Sequence, residues 1–489
     1  MKKLIKLTLL MHRYLGFALS LLFVIWFLSG FAMMYVKYPT MRYHERLQRL
    51  PAPGFSKAHL TIAQALDSAG IKDTLRSIRL GMLLNRPIYR VTTIKGTYQA
   101  VFADNGEQFN GADTALAARL AMQFTKGEKI KSIELLTEID QWMAAARSQG
   151  YTTPVYRVHM YDTARTYVYV AAQTGEVVQM VNAKQRFLAW LGPIPHWIYP
   201  TVLLRNRPLW NDIVVWSSTI GSIMCIAGIA MGFVRYKRSR GIAFSPYKKK
   251  WFRWHHYTGF AFGLFVFTWV FSGLLSMTPW DWAPFTRLEP EESVVWTGGI
   301  LDTRRFSISP AAAAGKLGTE FGQKEIQLVQ WNGTPYYLGY ADEHHTRLLA
   351  ADEETSVPVT QLPSEPFISK LKEMNAAIPV KEAVMLHEYD DYYYSKNHEK
   401  RLPVLRVKMA SEDEKWYYVD PATAQVVLKH QDLSRLERWL YHGLHSFDFR
   451  FLVYKRPLWD IVVIVLMIGG TLVSMTGLVL TFKWVGRKF

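Results

Sequence analysis

The stretch His12–Met34 reads HRYLGFALSLLFVIWFLSGFAMM, and it returns at His255–Met277 as HHYTGFAFGLFVFTWVFSGLLSM. A second stretch, Trp190–Trp210 (WLGPIPHWIYPTVLLRNRPLW), returns at Trp439–Trp459 as WLYHGLHSFDFRFLVYKRPLW. These alignments lay His12 on His255 and His196 on His445. Self-similarity of this kind marks an internal duplication, and it has to be recognised before any fold is assigned. Each copy keeps two histidines, so a symmetric site built from imidazole is expected.

Both repeated stretches belong to, or lead into, long apolar runs. Four such runs, about Tyr14–Val36, Ile213–Val234, Tyr257–Met277 and Ile461–Phe482, are long enough to cross a bilayer, which takes about 20 residues. The first is too long for a signal peptide, and Tyr35, Lys37 and Tyr38 follow it in place of a small-residue cleavage site. It reads as an uncleaved span. The chain is thus expected to be an α-helical membrane protein with four transmembrane helices in two tandem repeats, its partner the lipid bilayer.

The formal charge of +18 is concentrated beside the spans, which argues against nucleic acid as a partner. Arg235, Lys237, Arg238, Arg240, Lys248, Lys249, Lys250 and Arg253 crowd between spans two and three with no acidic residue. Lys2, Lys3 and Lys6 precede span one, and Lys483, Arg487 and Lys488 follow span four. The positive-inside rule places both termini and this middle segment in the cytoplasm, and the long segments outside. The expected division is therefore residues 1–36 as N-terminus and first span, 37–210 as a first outer domain, and 211–235 as the second span. Residues 236–254 form a basic loop, 255–278 the third span, 279–458 a second outer domain, and 459–489 the fourth span and tail.

Within the outer domains, Tyr156–Gln179 aligns with Leu405–Leu428, each a strand, a turn and a second strand. Similar strand pairs are expected around Tyr89–Phe109 and Tyr336–Val359. Helical periodicity marks Thr61–Ala69, Ala115–Phe124, Ser309–Phe321 and Phe367–Asn375. Each outer domain is then a small α+β unit with a helix on an antiparallel sheet. The sole cysteine, Cys225, lies in span two and reads as a packing residue, so there is no disulfide framework.

The charge map gives the histidines a depth. His12 and His255 share the inner level; His196 and His445 share the outer one. Two neutral imidazoles facing each other across a bundle match axial ligation of haem iron, with helices forming an apolar slot. Zinc and copper fit less well, because no thiolate or carboxylate accompanies either pair. Gly16, Gly30, Gly259 and Gly273 would admit a flat macrocycle or another helix. Arg13, Arg253, Arg205, Arg207 and Arg456 lie near the two levels and are candidate partners for haem propionates, Arg13 and Arg253 doubling as positive-inside residues. His256 and His442 neighbour two of the expected ligands and stand opposite Arg13 and Pro193 in the other copy. Either is an alternative ligand or a proton partner. The segment His387–Arg401 (HEYDDYYYSKNHEKR) carries donors for ferric iron or a chelate, but reads first as a solvated loop. His344 and His345 read as surface residues, and His44, His59, His159, His398 and His430 receive no role.

The HRYLGF and HHYTGF openings, the LSGF and FSGL ends of those spans, and the histidine before a basic segment resemble the PepSY-associated transmembrane (PepSY-TM) family. The strand pair at Tyr418–Val426 is similar to the PepSY domain itself. The resemblance implies a bacterial inner-membrane protein with two periplasmic PepSY-like regions, in a family whose members include siderophore reductases holding two b-type haems. Carried over by position, His12, His255, His196 and His445 match the family histidines. The run Gly192–Trp197 and the pair His445-Ser446 depart from the usual family pattern. The expected function is transmembrane electron transfer through two haem b groups to a periplasmic ferric siderophore or other iron chelate. A separate quinol or cytoplasmic reductase would donate the electrons. Two other classes remain open at this stage. One is a non-enzymatic regulator whose PepSY domains bind or inhibit a periplasmic protease. The other is a metal or siderophore permease, which would need polar or broken helices at mid-membrane.

Overall fold

The computed structural model describes every residue except Met1, Ala52, 237–244, Ala377 and 487–489. The basic residues Lys237, Arg238, Arg240, Arg487 and Lys488 therefore lie outside the described residues. Four helices are long and apolar enough to cross a membrane: α1 (Lys2–Met33), α2 (Arg207–Tyr236), α3 (Lys250–Leu275) and α4 (Leu458–Val485). Even the shortest, at 26 residues, rises about 39 Å at 1.5 Å per residue, more than a hydrocarbon core requires. In each, large apolar residues point outward as well as inward, for example Leu21, Ile226, Leu264 and Val465. A helix apolar all round is matched to lipid on one side and to its neighbours on the other. The four form a closed ring in which α1 and α3 each pack against α2 and α4. The middle of the ring is filled by Phe23, Phe27, Met224, Cys225, Val266, Trp269, Val270, Val463 and Met467. Cys225 is one packing residue among these.

Beyond the bundle lie fourteen strands among the described residues. The first half contributes β1 (Leu75–Leu83), β2 (Arg86–Thr93), β3 (Tyr98–Phe102), β4 (Ile130–Leu136), β5 (Val155–Met160), β6 (Tyr167–Ala171) and β7 (Val177–Val181). The second contributes β8 (Glu325–Trp331), β9 (Thr334–Tyr340), β10 (Thr346–Ala350), β11 (Val380–Leu386), β12 (Val404–Met409), β13 (Trp416–Asp420) and β14 (Gln425–His430). Two four-stranded antiparallel sheets repeat the same order, β4-β5-β6-β7 and β11-β12-β13-β14. Each is covered by a helix of the expected kind, Thr114–Phe124 and Ser364–Met374, whose apolar faces supply Leu120 and Phe124 or Phe367 and Leu371 to the core. Local chemistry starts these helices where the sequence turns polar. The carboxylate of Asp113 accepts from the main-chain N–H of Leu116 at 2.7 Å, and Thr61 and Gln64 form a capping box before Ile62–Ser68.

The remaining six strands correct the expectation of two self-contained outer units. They form one sheet in the order β10-β9-β8-β1-β2-β3, three strands from each half. The seam is antiparallel pairing of β1 with β8, Ile78 opposite Leu328 and Leu80 opposite Ile326. An unpaired strand edge is costly to expose, and each half covers the edge of the other. One continuous core runs beneath the seam, with Ile78, Leu80 and Tyr89 from the first half and Ile326, Leu328 and Tyr337 from the second.

Charged side chains lock the same junction. Arg79 lies 2.9 Å from Glu176 and 3.3 Å from Glu325, Arg46 lies 2.6 Å from Glu325, and Arg90 lies 3.9 Å from Glu176. All but Arg79 are less than a tenth exposed. Burial opposes the charge on Glu176, but Arg79, Arg90 and Arg46 outweigh it and hold the carboxyl down to about 2. Arg46 and Arg79 lower Glu325 against its own burial and the repulsion of Glu176.

Candidate functional site

His12 sits on α1 and His255 on α3, and their ring centroids are 6.0 Å apart with planes inclined at 29°. His196 ends the short helix Pro193–His196 before α2, and His445 lies in the turn Leu444–Ser446 before α4. Their centroids are 6.1 Å apart with planes at 75°. The four repeat-related histidines are thus brought together as two facing pairs at opposite ends of one bundle. Seventeen residues separate His12 from Ser29, which touches His196, and equally His255 from Ser272, which touches His445. That is about 25 Å of helix rise.

Each ring is held through Nδ1. His12 contacts the Met224 carbonyl at 3.1 Å. His196 contacts the Trp26 carbonyl at 3.1 Å and the Ser29 hydroxyl at 3.2 Å; His445 contacts the Trp269 carbonyl at 3.1 Å and the Ser272 hydroxyl at 3.0 Å. Nδ1 of His255 lies 3.0 Å from the Thr476 hydroxyl. A carbonyl oxygen can only accept, so Nδ1 carries the hydrogen in the first three. The Thr476 hydroxyl donates its own hydrogen to the Leu472 carbonyl at 2.8 Å, so it too accepts from imidazole. All four rings therefore present Nε2 with its lone pair, the form that binds metals, with Nδ1 fixed by a main-chain carbonyl in three and by the Thr476 hydroxyl in His255.

Glycines make room for the rings. A Cβ on Gly228 would lie 2.6 Å from Cε1 of His12, and one on Gly477 would lie 3.4 Å from Cε1 of His255. Gly30 and Gly273 lie beside His196 and His445, but a Cβ there would be 3.8 and 3.5 Å from the rings, in ordinary contact, and on Gly30 it would meet the Met467 methyl first. The expectation named Gly30 and Gly273 but missed Gly228 and Gly477. Of the other two glycines expected to matter, a Cβ on Gly16 would meet only Met224 at 3.9 Å, and one on Gly259 would meet nothing within 4 Å.

Several candidates stand elsewhere. His256 is turned away from the pair: its Nε2 lies 3.3 Å from the Gly232 carbonyl, and its ring packs near Tyr247. His442 does not face His196; its ring packs at a tilt of 50° against Tyr441 with centroids 4.7 Å apart, and its side chain is 42% exposed. The arginines do not converge on the rings. Arg205 is paired with Glu138 at 2.7 Å, and Arg456 is paired with Asp460 and lies over Trp459. Arg13, Arg207 and Arg253 are exposed. The segment His387–Arg401 is not the solvated loop expected. Tyr389 and Tyr393 are 9% and 3% exposed, and they pack with Val404 and Tyr418. Tyrosine hydroxyls make this burial possible, since those of Tyr389 and Tyr393 donate to the Lys400 and Arg401 carbonyls. His345 is exposed and bonded to Asp342, as a surface residue would be.

Imidazole pairs of this spacing fit axial ligation. Two nitrogens each about 2 Å from a shared ion put the ring centroids roughly 6 Å apart. Among the described residues no group of three or more His, Cys, Asp or Glu side chains gathers to hold a bare metal ion. Each pair offers two fixed Nε2 lone pairs, a donor set that would suit an iron macrocycle bringing its own donors better than a bare ion.

The architecture and the paired histidines define a four-helix membrane protein with sheet domains mounted on one end of the bundle. The chain belongs to the PepSY-associated TM region family, whose pattern matches residues 9–330. A search of curated proteins finds no match.

Proposed function

We propose that this protein carries electrons across a bacterial inner membrane and reduces a ferric chelate, a ferric siderophore being the best fit, on the periplasmic side. The observation that carries the reading is the duplication of one imidazole geometry at two depths of a single bundle. Haem b held at each level would supply a one-electron couple, with His12 and His255 as ligands at one level and His196 and His445 at the other. The chain itself does the positioning. Main-chain carbonyls orient His12, His196 and His445, the Thr476 hydroxyl orients His255, Gly228 leaves room for the His12 ring, and Phe27 and Trp269, 5.6 Å apart, help fill the interior between the levels and keep water out. Basic residues such as Lys248, Lys249, Lys250 and Arg253 support a cytoplasmic position for the end of the bundle near His12 and His255. A quinol or a cytoplasmic reductase then donates there, and the sheet domains face the periplasm. Reduction loosens an oxygen-donor chelator because ferrous iron is the softer and less charged ion.

The two competing classes have less support. A protease regulator needs an anchor but not two matched histidine pairs. A permease needs a discontinuous mid-membrane site, and each span here is one unbroken helix.

The test is the visible absorption spectrum of the purified full-length protein. A b-type spectrum that loses part of its intensity in His12→Ala and part in His445→Ala is expected. A colourless preparation made reproducibly with haem available overturns the reading.

A further inference from the structure

The two halves present the domain-side histidine pair to the surroundings in different ways. In the second half a π-helical turn, Arg438–Gly443, carries the chain into His445 and puts Tyr441 and His442 beside it. The Tyr441 ring lies 5.4 Å from His445 and 4.7 Å from His442, and Tyr394 lies 6.4 Å beyond. π-helical turns of this kind occur often at functional sites. In the first half the corresponding residues are Gly192 and Pro193. The helix Ala183–Leu191 stops there, and a Cβ on Gly192 would lie 3.2 Å from Ala32 of α1. Gly192 and Pro193 thus place no aromatic ring beside His196, and Trp197, which follows it, packs on Tyr38 and Tyr199.

The surroundings of His442 are cationic. Asp448, buried, is paired with Lys396 at 2.6 Å and accepts from the Tyr394 hydroxyl at 2.8 Å. Arg438, only 3% exposed, donates to the main-chain carbonyls of Asp391 and Asp448, and its Nη1 has no partner. Lys400 lies over the Tyr393 ring. The charges acting on His442 are those of Arg438, Lys396 and Lys400, while Asp448 lies 4.0 Å from its ring and Glu437 and Asp390 stand by Arg438 and Lys400; the cations facing His442 favour an anion outside.

We propose that the electron acceptor, an anionic oxygen-donor ferric chelate, docks on the second half alone, against the exposed edge of His442, and that Tyr441 and His442 bridge it to His445. The inference rests on the electron-carrier reading above and adds the exit face and the charge of the substrate. One electron leaves the reduced protein and one ferric ion becomes ferrous; no bond of Tyr441 or His442 forms or breaks. Both are positioning residues that supply a packed aromatic path and a contact.

The experiment uses full-length protein in detergent, reduced with dithionite and mixed with ferric citrate, while the decay of the reduced b-type band is followed. His442→Ala and Tyr441→Leu are expected to keep the wild-type spectrum and to slow oxidation severalfold. Tyr441→Phe, which keeps the ring, should react as wild type does. So should Arg147→Ala, which changes a basic residue of the first half, in the helix Ala144–Ser148, that donates to the Leu204 carbonyl ahead of α2. Wild-type rates in both His442→Ala and Tyr441→Leu overturn this inference and leave the carrier reading standing. Equal slowing by Arg147→Ala overturns the one-sidedness. Loss of part of the b-type band in His442→Ala makes His442 a ligand and also overturns it. A wild-type protein that is colourless, or that ferric citrate does not oxidise, overturns the carrier reading itself.

Discussion

The two interfacial segments, Trp190–Trp210 and Trp439–Trp459, deliver a histidine to the same place by different routes. The first breaks its helix at Gly192 and restarts at Pro193, whereas the second runs on through a π-helical turn. Yet Nδ1 of His196 and Nδ1 of His445 find the same pair of acceptors, a tryptophan carbonyl and the serine hydroxyl three residues on. What the copies share is the anchor on the long helices. What they do not share is the approach to it, and that difference separates ligand geometry from whatever the protein does at its surface.

The sharpest way to break the comparison is to remove one ring at a time. His196→Ala and His445→Ala should each abolish binding at the same level and cost roughly half of the b-type absorbance. A larger loss in one than in the other would show that the halves are unequal at the ligand itself.

The seam comes next, because there the halves contribute unequal charge: Arg46, Arg79, Arg90 and Glu176 from the first, Glu325 from the second. Glu176→Gln strips the arginines of a buried partner and should destabilise the protein by about 3–5 kcal/mol, read from thermal unfolding in detergent. Because the Glu176 carboxyl is held at about 2 against an ordinary 4.5, its contribution is present above pH 4.5 and drains away as pH falls toward 2. Glu176→Gln should flatten that part of the stability profile. An unchanged acid limb would remove Glu176 from the account.

Smaller effects sharpen the comparison at the terminus-side pair. Gly228→Ala brings a Cβ to 2.6 Å from His12 and must move that ring, while Gly477→Ala meets His255 at 3.4 Å and asks for only a slight shift. Spectral change should therefore be larger in Gly228→Ala than in Gly477→Ala. The reverse order would contradict the packing described. The mildest changes are Ser29→Ala and Ser272→Ala. Each removes one of two acceptors on a ring nitrogen, worth about 1 kcal/mol or less, and both should keep their spectra with equal small losses of thermal stability.

Much of this was legible before any coordinates. The four spans followed from apolar run length, and the histidine pairs from repetition combined with the charge map, since basic residues assign depth. The helices Thr114–Phe124 and Ser364–Met374 showed themselves through periodicity. The seam between β1 and β8 did not, because nothing in an isolated strand tells which foreign edge it will meet. The signal for the anchors was present but unused: Trp26-x-x-Ser29-Gly30 returns as Trp269-x-x-Ser272-Gly273, holding carbonyl, hydroxyl and glycine in one turn. Spans two and four likewise share glycines at Gly221/Gly470 and Gly228/Gly477, a match visible only when those spans are aligned with each other. The segment His387–Arg401 misled because its charges suggested solvent, whereas its tyrosines take it inside.

The seam has one further consequence. Leu83 and Arg86 frame the first hairpin turn as Trp331 and Thr334 frame the second, so Arg79 of β1 is equivalent to Gln327 of β8, and these two are paired. A strand that meets its own counterpart at the equivalent residue has the geometry of an isologous two-fold contact. In those terms the two halves meet at this seam as the subunits of a two-fold dimer do. Joining the subunits replaces a concentration-dependent encounter with a tethered one. Within one polypeptide the two sides of such a contact need not be identical, and Gly192-Pro193 against Tyr441-His442 is one place where they differ.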